Sequence, residues 1–230
     1  MKVQTLLAAL AACTLACAPA MAQKDTKPAP GISTKRPATA QPDKKAGPSE
    51  EEMMRLMQEA GNPNEHHKNL EQMVGEWDAV VKYRMDPAAP WSESKGSASS
   101  TMIYGGRYLR ESFKGDMEGM PFEGTSIMGY NNLGKQYEST WMDSMSTGIM
   151  FMTGSYDAAK KSFSIAGDSF DPMQGGKKKH TRIVTTISSP DKHTAEFFEP
   201  GMDGKEMKTM EIVYTRKTGA AGGDAKDHAK

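Results

Sequence analysis

Cysteine is almost missing from this chain. Its two cysteines, Cys13 and Cys17, both fall within the first 20 residues. For everything downstream this excludes a thiolate nucleophile and an internal disulfide framework, so stability must come from a core. An excess of charge is missing too, because 29 basic side chains balance 29 acidic ones. Nucleic-acid binders usually carry a basic excess, so no nucleic acid is expected as a partner. Aromatics are scarce at 7% and hydrophobic residues reach 37%, a lean composition that predicts disordered segments beside a folded core. Beyond the N-terminus no apolar run approaches the roughly 20 residues of a spanning helix, so the mature chain has no expected transmembrane segment. There is no Gly-x-Ser-x-Gly elbow, no His-Glu-x-x-His motif and no phosphate loop.

What is present begins with an export signal. Lys2 gives a short positive start, Leu6 to Ala18 is almost wholly apolar, and Ala20-Met21-Ala22 offers a small-x-small cleavage site before Gln23. Residues 1–22 therefore read as a signal peptide, placing the protein in the periplasm or outside the cell. Leu10-Ala11-Ala12-Cys13 resembles a bacterial lipobox, which would instead anchor Cys13 to lipid, although only about ten residues would precede the cut.

Residues 23–48 read as a disordered linker. Prolines stand at 28, 30, 37, 42 and 48, and six basic residues face two acidic ones. Such a segment cannot bury enough surface to offset its ordering entropy. It reads as a solvated tether, with envelope contact through its basic residues as the alternative. An amphipathic helix is expected within 49–61. Ser49 caps it, Glu52 completes a capping box and Gly61 ends it. Met53, Leu56, Met57 and Ala60 form one apolar stripe, expected to dock on the following domain. A shorter helix follows Pro63-Asn64, with His67, Leu70 and Val74 on one side and Met73 beside them.

From Trp77 onward the pattern is strands separated by turns. Ten are expected, at about 76–84, 93–103, 107–115, 121–130, 135–143, 148–156, 161–168, 179–188, 192–199 and 205–216. Short, regular connections such as Tyr104-Gly105-Gly106 and Asn131-Asn132-Leu133-Gly134 favour a meander of hairpins. The expected fold is all-β, an up-and-down antiparallel barrel of about ten strands whose closure removes its edges. The domain spans 64–217, and about 150 residues suffice to fold alone. Residues 218–230, rich in Gly, Ala and charge, should fray.

The short helix running into Gly75-Glu76-Trp77 resembles the Gly-x-Trp entry of lipocalin-type (calycin) barrels. In order along the chain stand His67-x-x-Leu70, Gly75-Glu76-Trp77, Gly105-Gly106-Arg107-Tyr108, Gly129-Tyr130, Thr140-Trp141-Met142-Asp143-Ser144-Met145 and Met210-Glu211-Ile212-Val213-Tyr214. This pattern resembles the bacterial domain-of-unknown-function family 1579 over residues 64–217. The resemblance implies a lipocalin-like barrel and brings no established activity or catalytic residues.

Strand alternation groups side chains by face. Tyr137, Ser139, Trp141 and Asp143 share one; Arg182, Val184 and Thr186 another; Thr194, Glu196 and Phe198 a third; Met207, Glu211 and Val213 a fourth. If these faces point inward, Asp143, Arg182, Glu196 and Glu211 line the interior, and a buried charge needs a partner. Arg182 then either pairs with Glu196 on the next strand or holds a ligand carboxylate. The expected ligand-binding set is Trp77, Tyr137, Trp141, Asp143, Arg182, Glu196 and Phe198, an apolar wall with a few orienting polar groups. A one-residue slip of register would invert each assignment.

Of the 19 methionines, Met142, Met145, Met150 and Met152 cluster near the fifth turn. Thioethers bind Cu(I), but without a tight His/Met repeat their expected role is packing in a core or compliant pocket. Adjacent His66 and His67 point apart on a helix, and His180 and His193 are isolated. No metal or cofactor is expected. The favoured function is binding of a small apolar or amphipathic ligand inside the barrel. The alternatives are a filled barrel serving envelope interaction, haem or copper binding, or an unrecognised enzyme.

Overall fold

A computed structural model describes residues 47–84, 86–201 and 204–218. The expected signal peptide, Cys13, nearly all of the linker and the tail from 219 lie outside these residues. Two helices lead in, α1 (Glu50–Gly61) and α2 (Glu65–Glu71). Ten strands follow: β1 (Gly75–Tyr83), β2 (Ser92–Ile103), β3 (Tyr108–Met117), β4 (Met120–Asn131), β5 (Gln136–Asp143), β6 (Met150–Asp157), β7 (Ser162–Asp171), β8 (Lys177–Ser189), β9 (Lys192–Pro200) and β10 (Glu206–Arg216). Every neighbour in sequence is a neighbour in the sheet, and β10 returns to β1, so the barrel is closed. All pairings are antiparallel, and the β1–β10 seam runs from Trp77↔Arg216 to Tyr83↔Met210.

The turns follow from local chemistry. Glu118 and Gly119 both take positive φ, 54° and 84°, and join the Met117↔Met120 pair. This is the two-residue geometry whose twist matches its strands. Two longer turns share one design. Asn131 accepts from the backbone N–H groups of Leu133 and Gly134, and Asp157 accepts from those of Ala159 and Lys160. Each ends on a left-handed lysine, Lys135 or Lys161. Carboxylate or amide oxygens that mimic a backbone acceptor favour such turns.

Helix α2 covers one end of the barrel. Asn64 and His67 exchange hydrogen bonds across its first turn as a capping box. The Tyr137 hydroxyl donates to the carbonyl of His66 at 2.9 Å and accepts from Asn69 at 3.1 Å. Leu70 and Met73 are buried against Leu109, Met128, Tyr137, Phe163 and Ile187. Trp77 is fully buried beside them, its indole N–H donating to the carbonyl of Met73 at 3.0 Å. The Arg216 guanidinium lies 4.2 Å over the Trp77 ring and donates to the carbonyls of Val74 and Pro190. Gly75 has φ of 138°, and a β-carbon there would collide with that guanidinium. Glycine is what lets Arg216 reach the seam.

Helix α1 forms with Ser49 accepting from the N–H of Glu52, and its stripe does not dock. Met53, Leu56 and Met57 are exposed, and the helix has no buried residue. Only its C-terminal turn is moored. The Asn132 amide donates to the carbonyls of Glu59, Ala60 and Asn62, and Arg107 donates to that of Gly61.

Candidate functional site

Because strand side chains alternate, the register fixes which residues face the interior. One continuous set is paired across the sheet: Trp77↔Ala98↔Phe113 on β1–β3, Ser139↔Met152 on β5–β6, Ile165↔Ile183↔Phe197 on β7–β9 and Ala195↔Ile212 on β9–β10. Of the expected site residues, Trp77, Tyr137, Trp141 and Asp143 belong to this inward set. Tyr137 and Trp77 are at the helix-covered end. Trp141 and Asp143 are toward the opposite end, where the indole N–H donates to the Asp143 carboxylate at 2.8 Å. Gly124 leaves room for the Trp141 ring to lie flat against the wall, and Phe122 stacks near it.

Arg182, Glu196, Phe198 and Glu211 face outward, opposite to the interior placement read from alternation. Arg182 grips Glu206 through two bonds of 2.6 and 2.8 Å and lies over the Phe198 ring. Glu196 and Glu211 share Lys208 at 2.9 and 2.6 Å. The reason is that β8, β9 and β10 each carry apolar residues on both faces. Ile183 stands next to Val184, Phe197 next to Phe198, and Ile212 next to Val213. The period was therefore legible and its sign was not. An inward ion pair joins Lys179 to Glu199 at 3.1 Å, with the Thr181 hydroxyl donating to the same oxygen.

Midway along the barrel the inward face keeps accessible surface. Glu111 is partly accessible although Leu109 and Phe113, its inward neighbours, are buried. Ser126 stands likewise between buried Gly124 and Met128, and Ile183 and Thr185 between buried Thr181 and Ile187. Four inward-facing residues at mid-barrel, Glu111, Ser126, Ile183 and Thr185, are thus only half-buried while the inward residues flanking them along each strand are buried.

Glu111 is the group that reading the sequence missed. The signal was present, since Leu109, Glu111 and Phe113 alternate onto one face and place a carboxyl between two large apolar residues. It accepts from the Ser100 hydroxyl at 3.3 Å and the Tyr214 hydroxyl at 3.4 Å. Burial pushes its pKa up, against the pull of those two bonds. Burial and the facing carboxylate push Tyr214 well above its ordinary value. His193 is stacked on Tyr214 and edge-on to Trp77. Burial, with Arg216 adding to it, drives its pKa down to about 4. Its buried Nδ1 has no hydrogen-bond partner among the described residues.

The methionine cluster is split. Met150 and Met152 take inward positions, while Met142 and Met145 are exposed. Among the described residues no group of three or more His, Cys, Asp or Glu is placed to hold a metal ion, and no helix is long and apolar enough to cross a membrane.

A family model described as "Protein of unknown function (DUF1579)" matches residues 62–216. No curated protein matches the chain in sequence. Among solved structures, the crystal structure of Rv2717c from M. tuberculosis is similar at 12% identity and a TM-score of 0.49, covering 68% of this chain and 99% of that one. A redesigned beta barrel is similar at 12% identity and a TM-score of 0.36, covering 65% of this chain and 95% of that one.

Proposed function

This chain belongs to DUF1579, a family described as proteins of unknown function, and from its barrel we propose reversible binding of a small apolar or amphipathic molecule in the lumen. The supporting observation is the incomplete burial of inward-facing Glu111, Ser126, Ile183 and Thr185 between buried neighbours. Ten strands enclose a wider interior than eight, and some eight-stranded barrels already hold a small ligand. The wall offers Phe113, Trp141, Ile183 and Phe197 with few polar groups, the mixture typical of ligand sites. Helix α2 covers one end and no described helix covers the other, so entry is assigned to the end of Trp141 and Asp143. The signal-like pattern of residues 1–22 supports binding in the periplasm or outside the cell, with mature protein starting at Gln23. The mass of the native protein tests that start, and a lipid-modified Cys13 would replace it.

Tryptophan emission tests the binding. Titrating hydrophobic probes into the protein should perturb Trp141, and Trp141→Ala should weaken the response at least severalfold while the barrel's circular dichroism stays unchanged. Absence of binding by any probe at micromolar concentrations would sink the carrier reading. A second reading, envelope interaction, draws on the uncovered α1 stripe of Met53, Leu56 and Met57. Exposed apolar patches often mark contact surfaces.

A further inference from the structure

The ligand class can be read from the polar groups of the lumen. Cross-strand pairing sets Ser100, Glu111 and Ser126 side by side on β2, β3 and β4. Ser139 on β5 extends the row, its hydroxyl 3.4 Å from that of Ser126. This is a polar belt on four consecutive strands, lying between the buried apolar residues of both ends.

The belt is rich in acceptors and holds no cation. A carboxylate has about four lone-pair sites, and Glu111 uses two, each in a long bond from a neutral hydroxyl. Three inward basic groups are engaged elsewhere. Lys179 is paired with Glu199. Arg216 is fixed over Trp77 and bonded to backbone carbonyls at the seam. His193 lies behind Tyr214 and is neutral near pH 7. Asp143, another inward carboxylate, accepts from the Trp141 indole and the backbone of Met145. An entering carboxylate would meet Glu111 with no counter-ion and shed its own water, which is costly. An ammonium brings the missing charge, three donors for the belt, and a charge-assisted bond of roughly twice the neutral strength.

We propose that the lumen selects a cationic amphiphile, an alkyl- or aryl-amine, whose ammonium is held by Glu111 and Ser126, the half-buried members of the belt, while its apolar body lies among Phe113, Trp141, Ile183 and Phe197. This rests on the lumen binding a small molecule at all, and it adds the sign of the head group.

Three probes of one chain length separate the two. Dodecylamine, 1-dodecanol and dodecanoate are titrated into the full protein at pH 7, each below its micelle concentration, with tryptophan emission as readout. Dodecylamine should bind at least tenfold more tightly than dodecanoate. E111Q, which keeps the shape and removes the charge, should erase most of that preference and leave dodecanol affinity within about twofold. Dodecanoate binding as tightly as the amine, or an amine preference that survives in folded E111Q, overturns the inference and leaves the binding reading standing. Binding of none of the three overturns both. If E111Q does not fold, the amine-to-carboxylate ratio of the unaltered protein decides.

Discussion

At the residue scale, His193 and Glu111 give the molecule opposing responses to acid. In the unfolded chain His193 titrates near its ordinary 6.5, and in the fold near 4. Between these values the unfolded state takes a proton that the native state refuses, so stability falls as pH drops from about 6.5 to about 4, then levels. The full effect is about 3 kcal/mol at most. Glu111 acts the other way. Its pKa is raised in the fold, so the native state holds a proton longer, and that stabilisation is lost as pH rises through the raised value. The difference between the protein and His193→Phe, which keeps a ring between Trp77 and Tyr214, isolates the histidine. Chemical denaturation at pH 7 and pH 4 should show the unaltered protein losing about 2–3 kcal/mol relative to the variant. Equal losses in both would mean that His193 is not held neutral by burial.

At the scale of elements, α1 shows a helix made by its own sequence and moored at its C-terminal turn by two side chains, Asn132 and Arg107. Ser49 starts it, and the Arg55–Glu59 ion pair on its surface adds little. Its stripe gains nothing from packing because Met53, Leu56 and Met57 are uncovered. A helix of 12 residues is marginal without packing, so Asn132, which holds three of its terminal carbonyls, should matter to it more than to the barrel. Asn132→Ala should raise hydrogen exchange in residues 50–61 by about fivefold, equivalent to about 1 kcal/mol, with the thermal midpoint of the barrel nearly unchanged. Lowered barrel stability with unchanged exchange in α1 would contradict this account.

At the scale of the whole molecule, closure depends on one seam and its latch. The first and last strands, the most distant in sequence, pair with each other to close the ring. Arg216 joins that seam to the chain entering β1, stacking on Trp77 and bonding to Val74 and Pro190. Arg216→Ala removes a cation–π contact and leaves two carbonyls without their donor. A loss of about 2–3 kcal/mol is expected, with Trp77 emission moving to the red as water reaches the ring. A variant as stable as the parent would show that the strand ladder closes the barrel unaided.

The sequence alone determined the positions of both helices and all ten strands, because turn residues and period-two alternation act over a few residues and need no partner. It also determined closure in outline, since ten strands joined by short hairpins leave two edges that relieve each other. The tertiary structure decided which way each face points. Alternation has a period and no sign. In β5 the aromatic face was inward, as its pattern suggests, whereas β8, β9 and β10 carry apolar side chains on both faces, and only pairing with Ile165 and Ile212 turned Arg182 and Glu196 outward and Lys179 and Glu199 inward. Register likewise brought Glu111 together with Ser100 and with Tyr214, a residue 103 positions away along the chain. No local pattern carries that distance, because a strand's neighbours across a closed barrel are chosen by the chain as a whole.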